Sequence, residues 1–362
     1  MKIKSFSYVD ITWELNNLEF GTVNLVVGKN STGKTRTLQT IDLLAKMITQ
    51  KRELNRGGLW KIVFENYKKE EIKYQFSTGY QKQGVLSENL FLDNNLMISR
   101  NSNNKNKVEI KNLVNNNTFD FVYPPDNKLI IHTNRDIKKY PYLEDITNWA
   151  EQSYGFKFGN ISPYSRLNQQ EYDLLTAVED IPTLFKSLKK EDKLQIIADF
   201  NAIGYTISDI SLQDRGQYST INIKETGIRR ILPHFKLSQG MFRALAVIIY
   251  IQYLISRKNP ATIIIDDLCE GLDYERATKL GKLIFYKCLE NDIQLIATSN
   301  DSFLMEVVDL KYWNILTRTG NQISSLNARS NPDIFKDFKF TGLSNFDFFS
   351  SDYIDLKSSK ND

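Results

Sequence analysis

The sequence is poor in cysteine and histidine, and these shortages exclude two kinds of protein. Cys269 and Cys288 are its two cysteines, too few for the disulfide framework of a secreted domain. Its two histidines, His132 and His234, lie far apart, and neither they nor the cysteines have the spacing of a metal site. Because unpaired cysteines suit a reducing compartment, we expect a cytoplasmic protein.

The sequence also lacks a long apolar run and a signal peptide. Its longest apolar stretch, Ala244–Ile255, is interrupted by two tyrosines and a glutamine and is shorter than the roughly 18 residues of a membrane span. Met1–Lys4 lacks the apolar region of a signal peptide. We find neither the heptad repeat of a coiled coil nor an internal repeat. These absences favour one globular protein, with Ala244–Ile255 as a buried helix.

Charge gives little guidance on partners. The net charge is +4, which permits contact with nucleic acid but does not argue strongly for it. Lysine and asparagine are concentrated in Arg100–Asn117. This segment is interpreted as a set of surface loops, with a basic groove for a phosphate backbone as the alternative.

Strand and helix patterns alternate at both ends of the chain. Thr22–Val27 is an apolar strand, followed by a glycine-rich turn and a helix with apolar residues every three or four positions. Later, the helix Met241–Ile255 precedes the strand Thr262–Ile265, the helix Tyr274–Leu289 and the strand Gln294–Thr298. This alternation predicts an α/β fold around a parallel sheet.

The middle of the chain is less regular. Short strand-like pieces run from Trp60 to Tyr123, and Lys128–His132 is predicted as a further strand. From Asn168 to Ala202 the apolar period becomes helical. The aromatic stretch Phe335–Tyr353 is predicted to be a docked C-terminal cover, with a partner-binding edge as the alternative.

A complete phosphate-binding motif, G-x-x-x-x-G-K-[ST], lies between the first apolar strand and its helix. Its glycines allow backbone N–H groups to surround phosphates, its lysine can reach the β and γ oxygens of a nucleotide, and its threonine can bind Mg²⁺. The predicted nucleotide-binding residues here are Gly28, Lys29, Asn30, Ser31, Thr32, Gly33, Lys34, Thr35 and Arg36.

A second acidic motif completes this site. The strand Ile263–Ile265 ends in Asp266 and Asp267, which places both carboxylates at the carboxyl edge of the sheet, beside the phosphate loop. We predict that Asp266 holds Mg²⁺ together with Thr35. Asp267 is placed to orient or deprotonate an attacking water, with Lys34 as the other catalytic residue.

Three further motifs follow in an order that resembles the ABC ATPases. Leu237–Gly240 (LSQG) resembles their signature, Gly271–Asp273 their D-loop, and Ser299–Asp301 their switch loop. The resemblance implies a two-lobed ATPase head that uses ATP and Mg²⁺ and pairs with a second copy of itself. It also implies that Ser238, Gln239, Gly240 and Asp273 contact nucleotide held by that second copy.

Within that family the chain resembles the branch of RecF, the structural-maintenance-of-chromosomes (SMC) heads and the overcoming-lysogenization-defect ATPases. The long stretch between Thr35 and Leu237 begins with β-like segments, as in those heads. The resemblance implies a β-rich first lobe with the phosphate loop (about 1–140), a mainly helical insertion (141–230), a second lobe (231–320) and a C-terminal cover (321–362).

The chain departs from the family pattern in two catalytic positions. Asp267 stands where the family carries a glutamate, so its carboxylate has a shorter reach. The switch histidine is absent, and Asn300 is the best positional match, with Ser299 second. We therefore expect slow hydrolysis. Asn134–Asp136 is the candidate for the turn that senses the γ-phosphate.

Several functions remain open. The leading hypothesis is a homodimeric ATPase that senses or controls DNA or an effector protein, in antiphage defence or DNA repair. Because the chain carries no nuclease motif, a nuclease or toxin effector is expected on a separate polypeptide. The alternatives are a module that dimerises on ATP with little hydrolysis and, third, a transporter subunit, which would need a membrane partner.

Overall fold

The computed structural model describes residues 1–80, 84–101, 107–114, 118–162, 181–214, 219–339, 341 and 343–350. Parts of three predicted segments lie outside the described residues. These are much of the lysine- and asparagine-rich segment, the first third or so of the helical stretch predicted from Asn168, and the end of the aromatic tail.

The strands occupy defined stretches along the whole chain. They are β1 (Lys2–Val9), β2 (Glu14–Glu19), β3 (Val23–Val27), β4 (Gly58–Glu65), β5 (Glu71–Thr78), β6 (Val85–Leu92), β7 (Asn95–Asn101), β8 (Val108–Lys111), β9 (Phe119–Val122), β10 (Ser153–Lys157), β11 (Ile207–Asp214), β12 (Ser219–Glu225), β13 (Ile231–Pro233), β14 (Thr262–Asp266), β15 (Gln294–Thr298), β16 (Trp313–Thr319) and β17 (Gln322–Asn327).

The helices lie between these strands and at the C-terminal end. They are α1 (Lys34–Ile48), α2 (Ile130–Thr133), α3 (Pro141–Glu151), α4 (Ile181–Ser187), α5 (Lys190–Ala202), α6 (Gln239–Arg257), α7 (Tyr274–Glu290), α8 (Ser302–Val307), α9 (Pro332–Lys339) and α10 (Asn345–Ser350).

One large mixed sheet organises the molecule. At one end β10, β14, β15, β3 and β16 lie side by side and run parallel. Strands β17 and β2 join this part to an antiparallel series in the order β1-β4-β5-β6-β7-β8-β9. A second, small sheet contains β11, β12 and β13. The predicted α/β class, with a parallel part and a β-rich N-terminal part, is confirmed.

The parallel strands separate two hydrophobic cores. Ile263 and Ile265 belong to the core that contains α6 and α7, whereas Ile264 between them faces the core that contains α1 and α3. All three side chains are fully buried, because a strand covered on both faces buries every residue. This explains why the sequence of β14 is uniformly apolar.

One prediction for the middle of the chain is wrong. The segment predicted as a strand over Lys128–His132 instead contains the short helix α2, because a brief apolar run does not distinguish strand from helix. The described part of 141–230 contains the helices α3, α4 and α5 together with the strands β10, β11 and β12. Strand β10 belongs to the large sheet, next to β14. The lobe boundaries remain a prediction.

Among the described residues, α6 is the helix long and apolar enough to cross a membrane. However, 67% of its most apolar window is buried inside the protein. Its buried residues, such as Leu245 and Ile249, belong to the core shared with α7. The helix predicted over Met241–Ile255 is therefore present and is a core helix here.

The buried imidazole of His132 predicts a loss of stability in acid. Its Nδ1 accepts a hydrogen bond from Leu129 N at 3.2 Å, and its Nε2 lies 3.0 Å from Met47 O. Burial lowers the pKa of His132 to about 4, below the value of about 6.5 in an unfolded chain. The unfolded state therefore takes up a proton first, and stability present above pH 6.5 is lost as the pH falls towards 4.

Between pH 7 and pH 4.5, the unfolding free energy of the wild-type protein should fall by about 2 kcal/mol more than that of the His132→Gln variant, which has no imidazole to protonate. Urea denaturation followed by circular dichroism at the two pH values measures this difference. An equal loss of stability in both proteins would show that His132 does not titrate in this way.

Candidate nucleotide-binding and hydrolysis site

The phosphate loop connects the buried strand β3 to α1, and its glycines are required by space as well as by backbone angle. A Cβ on Gly28 would lie 2.5 Å from Thr32 Oγ1 and 2.9 Å from Leu316 O. Gly33, at φ 99°, lies in the left-handed region, and a Cβ there would approach Trp13 Nε1 to 3.2 Å. The conformation of the loop is therefore fixed by its neighbours in the fold as well as by its own glycines.

Lys34 begins α1 and folds its ammonium back over the loop. Its Nζ donates to Gly28 O at 2.5 Å and to Lys29 O at 3.3 Å. Burial lowers the pKa of Lys34, while the carboxylates of Asp267 and Asp266 act in the opposite direction. The side chain is thus held between the loop and the acidic end of β14.

Asp266 is fully buried at the end of β14. Its Oδ1 accepts hydrogen bonds from Thr35 Oγ1 at 3.1 Å and from Thr298 Oγ1 at 2.6 Å. Its Oδ2 is buried without a hydrogen-bond partner. Burial raises the pKa of Asp266, and the neighbouring Asp267 adds to this rise.

The unsatisfied oxygen of Asp266 fits a cation. A buried carboxylate oxygen without a partner is costly, and Mg²⁺ prefers carboxylate and hydroxyl oxygens as ligands. Thr35 supplies such a hydroxyl within hydrogen-bonding distance of the same carboxylate. Thr35 and Asp266, which the sequence predicts to hold Mg²⁺, therefore lie side by side and present the oxygen ligands that this ion prefers.

Asp267 follows Asp266 but points elsewhere, because its backbone adopts φ 54°. Aspartate tolerates this left-handed conformation better than most residues. Its N–H donates to Thr298 Oγ1 at 2.8 Å, and its Oδ1 accepts from Asn300 Nδ2 at 3.2 Å. Its Oδ2 forms an ion pair with Lys157 Nζ at 3.3 Å.

These groups open onto a cleft of about 680 Å³. It brings together most of the predicted loop residues with the predicted base and switch residue. The lining residues are Asn30, Ser31, Gly33, Lys34, Thr35, Arg36, Gln39, Arg56, Asp267, Asn300 and Arg318. Gln39, Arg56 and Arg318 were not predicted, because they come from α1, the segment before β4 and the far end of β16.

Two of the cleft arginines are anchored by one carboxylate. Asp10 Oδ2 lies 2.9 Å from Arg36 Nη2 and 3.5 Å from Arg56 Nη2. Burial acts to raise the pKa of Asp10, but hydrogen bonds from Thr12 and the Arg36 charge lower it to about 2. Asp10 thus stays ionised and holds both guanidinium groups at the rim of the cleft.

The signature residues lie outside this cleft. Ser238 caps α6, its Oγ accepting from Met241 N at 3.3 Å, and Ser238 and Gln239 are exposed. A Cβ on Gly240 would lie 3.0 Å from Leu272 Cδ2, so the signature packs against the D-loop. Asp273 caps α7 by accepting from Arg276 N at 3.0 Å. None of the four predicted contacts lines the cleft of its own chain.

The structure separates the other candidate residues from the cleft. Arg135 pairs with Glu144, Asp136 accepts hydrogen bonds within its own turn, and Asn134–Asp136 does not line the cleft. His234 Nδ1 accepts from Ile221 N at 3.2 Å and lines no part of the cleft. Ser299 is buried and donates to Leu268 O, so Asn300 is the switch-loop residue that contacts Asp267.

Lys157 is a site residue that sequence reasoning missed. It ends β10, where the register places it opposite Asp266. Burial acts to lower the pKa of Lys157, but the charge and hydrogen bond of Asp267 raise it. The alternating aromatic residues of Ser153–Lys157 were a strand signal that could have located it.

This arrangement of loop, acidic strand end, switch loop and remote signature lies in the fold of a two-lobed P-loop ATPase head. The sequence model of the family described as "AAA domain, putative AbiEii toxin, Type IV TA system" matches residues 23–306. The chain therefore belongs to this family. Membership of this family supports nucleotide binding and, in general terms, ATPase activity.

Solved SMC heads have the same fold. The chain is similar to an SMC head bound to the C-terminal winged-helix domain of ScpA, at 12% identity and a TM-score of 0.56, covering 92% of this chain and 99% of that one. The SMC head of Thermotoga maritima gives 13% identity, a TM-score of 0.50, and 90% and 99% coverage. The ScpA-bound head from Pyrococcus furiosus gives 11% identity and a TM-score of 0.54, covering 93% of this chain and 99% of that one. No curated protein matches the sequence.

Thr298 links the two aspartates, which predicts an effect on stability. The Thr298→Val variant keeps the shape but removes a partner of Asp266 and leaves the part-buried Asp267 N–H unpaired, at a cost of about 1–3 kcal/mol. The Thr298→Ser variant keeps the hydroxyl and should lose about 1 kcal/mol or less. Urea denaturation of both variants tests this, and a serine variant less stable than the valine variant would contradict it.

Proposed function

We propose that the chain is an ATP-binding, slowly hydrolysing ATPase that closes around nucleotide as a homodimer and controls a partner. The observation that supports this most directly is the buried, unpaired Asp266 Oδ2 beside Thr35 and the phosphate loop. A carboxylate oxygen left unpaired at this point is explained by a cation that accompanies the triphosphate.

The proposed chemistry assigns a task to each polar group in the cleft. Thr35 and Asp266 would hold Mg²⁺, which neutralises phosphate charge when it is bound. Lys34 and the loop amides bind and neutralise the β- and γ-phosphates. Asp267 orients the attacking water and accepts its proton. Asn300, next to Asp267, donates a hydrogen bond towards the γ-phosphate and cannot carry a proton.

The remote signature supports a dimer. Ser238, Gln239 and Gly240 begin the long helix α6, where backbone N–H groups and the helix dipole favour an anion. They are placed at the surface rather than in the cleft of their own chain. A second copy, packed face to face, brings its nucleotide to this end of α6, with Asp273 nearby. Each copy then completes the site of the other.

A second candidate function is a module that dimerises on ATP and hardly hydrolyses it. This reading is favoured by Asp267, whose two oxygens are both occupied, one by Asn300 and the other by Lys157. A carboxylate bound in this way, one methylene shorter than glutamate, has limited freedom to approach a water. Slow turnover is the intermediate case that we favour.

The kind of partner is inferred from the family description and from the proteins bound to similar heads. The family description names a toxin of a type IV toxin–antitoxin system, and two of the similar SMC heads are bound to ScpA. We extend this to a cytoplasmic head that senses DNA or a separately encoded nuclease or toxin, in antiphage defence or DNA repair. The lobes at about 1–140 and 231–320 would close on nucleotide, with 321–362 as a cover.

Two single substitutions separate binding from hydrolysis. We expect Lys34→Ala to weaken ATP binding about 10- to 100-fold, because a charge-assisted contact to phosphate is lost. Asp267→Asn should keep ATP affinity and lose about 100-fold or more of its phosphate release. Calorimetric titration and a phosphate-release assay measure the two effects. Equal phosphate release by the wild-type and Asp267→Asn proteins would favour the non-hydrolysing module.

The dimer is tested at the two ends of one helix. Ser238→Arg places a bulky cation at the signature and should abolish the ATP-dependent dimer while leaving ATP binding by the monomer intact. Ser256→Arg, at the exposed far end of α6, is the matched control and should dimerise normally. Light scattering with and without Mg-ATP distinguishes them. A dimer that persists in Ser238→Arg would disprove the shared site.

A further inference from the structure

The ammonium of Lys157 lies against the residue proposed as the general base. The parallel register of β10 and β14 sets Lys157 opposite Asp266, so the sheet fixes where its side chain begins. Its Nζ lies 3.3 Å from Asp267 Oδ2. Lys157 does not line the cleft, whereas Asp267 does. The lysine therefore contacts a residue of the cleft without lining the cleft itself.

Asp267 is held from three directions. Lys157 contacts Oδ2, Asn300 donates to Oδ1 at 3.2 Å, and the Thr298 hydroxyl accepts from the backbone N–H at 2.8 Å. The side chain of Asp267 is 15% exposed and that of Lys157 33% exposed, so the pair is partly shielded from water. Removal of the lysine leaves one oxygen unpaired and allows the carboxylate to rotate about its terminal torsion.

The segment after Lys157 is itself anchored. Arg243 of α6 donates through Nε to Ile161 O at 3.1 Å and through Nη2 to Gly159 O. Its Nη1 donates to Glu270 O at 3.1 Å, in the segment that leads to the D-loop. One guanidinium thus joins the turn after β10 to the segment after β14. This gives the Lys157 backbone a fixed position relative to Asp267.

We propose that Lys157 is a positioning residue that fixes the carboxylate of Asp267 for hydrolysis. It acts through Asp267 and not through contact with nucleotide. The inference rests on the proposed function, because it requires that Asp267 takes part in hydrolysis.

The first experiment compares steady-state ATP hydrolysis by full-length variants. Lys157→Met should lower kcat about 10- to 100-fold with KM for ATP unchanged, because a misaligned base affects the chemical step. Lys157→Arg, which keeps a cation, should recover part of kcat. Lys282→Met, at an exposed lysine of α7, is the matched control and should behave as wild type. Lys157→Gln, a milder change, replaces Lys157→Met if circular dichroism shows that the latter is unfolded.

A double-mutant cycle decides whether the lysine acts through Asp267. In the Asp267→Asn background, Lys157→Met should cause no further loss of kcat, since the group it positions is already gone. A further loss equal to that seen in the wild-type background would overturn the proposal. So would a rise in KM without a fall in kcat, which would make Lys157 a nucleotide contact.

The outcomes also separate this inference from the proposed function. No phosphate release by the wild-type protein would reject hydrolysis and this inference together. Wild-type turnover with an unaltered Lys157→Met variant would reject the role of Lys157 alone.

Discussion

The parallel register of β10, β14, β15, β3 and β16 is the constraint on which the site depends. Parallel strands end at one edge of a sheet, so whatever follows each strand meets its neighbours there. The phosphate loop follows β3, Asp267 follows β14, Asn300 follows β15, and Lys157 ends β10. Residues from four distant parts of the sequence thereby meet at one edge of the sheet. Two hydrophobic cores, one on each face, hold these strands in place.

The sequence allowed the local part of this arrangement to be predicted. The phosphate loop, Asp266 and Asp267 were found because each has a short motif and a recognisable strand beside it. Lys157 and Arg318 were missed because their positions depend on which strands lie side by side in the sheet. The residues near them in the sequence do not reveal that order. The error at His132 has another cause. Its apolar run is too short for periodicity to decide, and the buried carboxylate of Glu88, which accepts from Ile130 N at 3.0 Å, caps a helix instead.

The separation of cleft and signature gives the molecule two different faces for one ligand. The cleft carries the loop, Asp267 and the arginines held by Asp10, and the start of α6 carries Ser238 and Gly240. In the proposed dimer the nucleotide belongs to both copies at once. Its affinity and the strength of the dimer are then linked quantities, because anything that binds only the closed state favours closure.

The burial of α6 has a mechanical consequence. Its interior residues are packed into a core shared with α7 and with one face of β14 and β15. Packed cores resist deformation, so the buried part of α6 is expected to stay straight when an anion binds at its start. In the proposed dimer, the start of α6 would then move together with the core beneath it. Contact at one exposed serine would thereby act on a large part of the head.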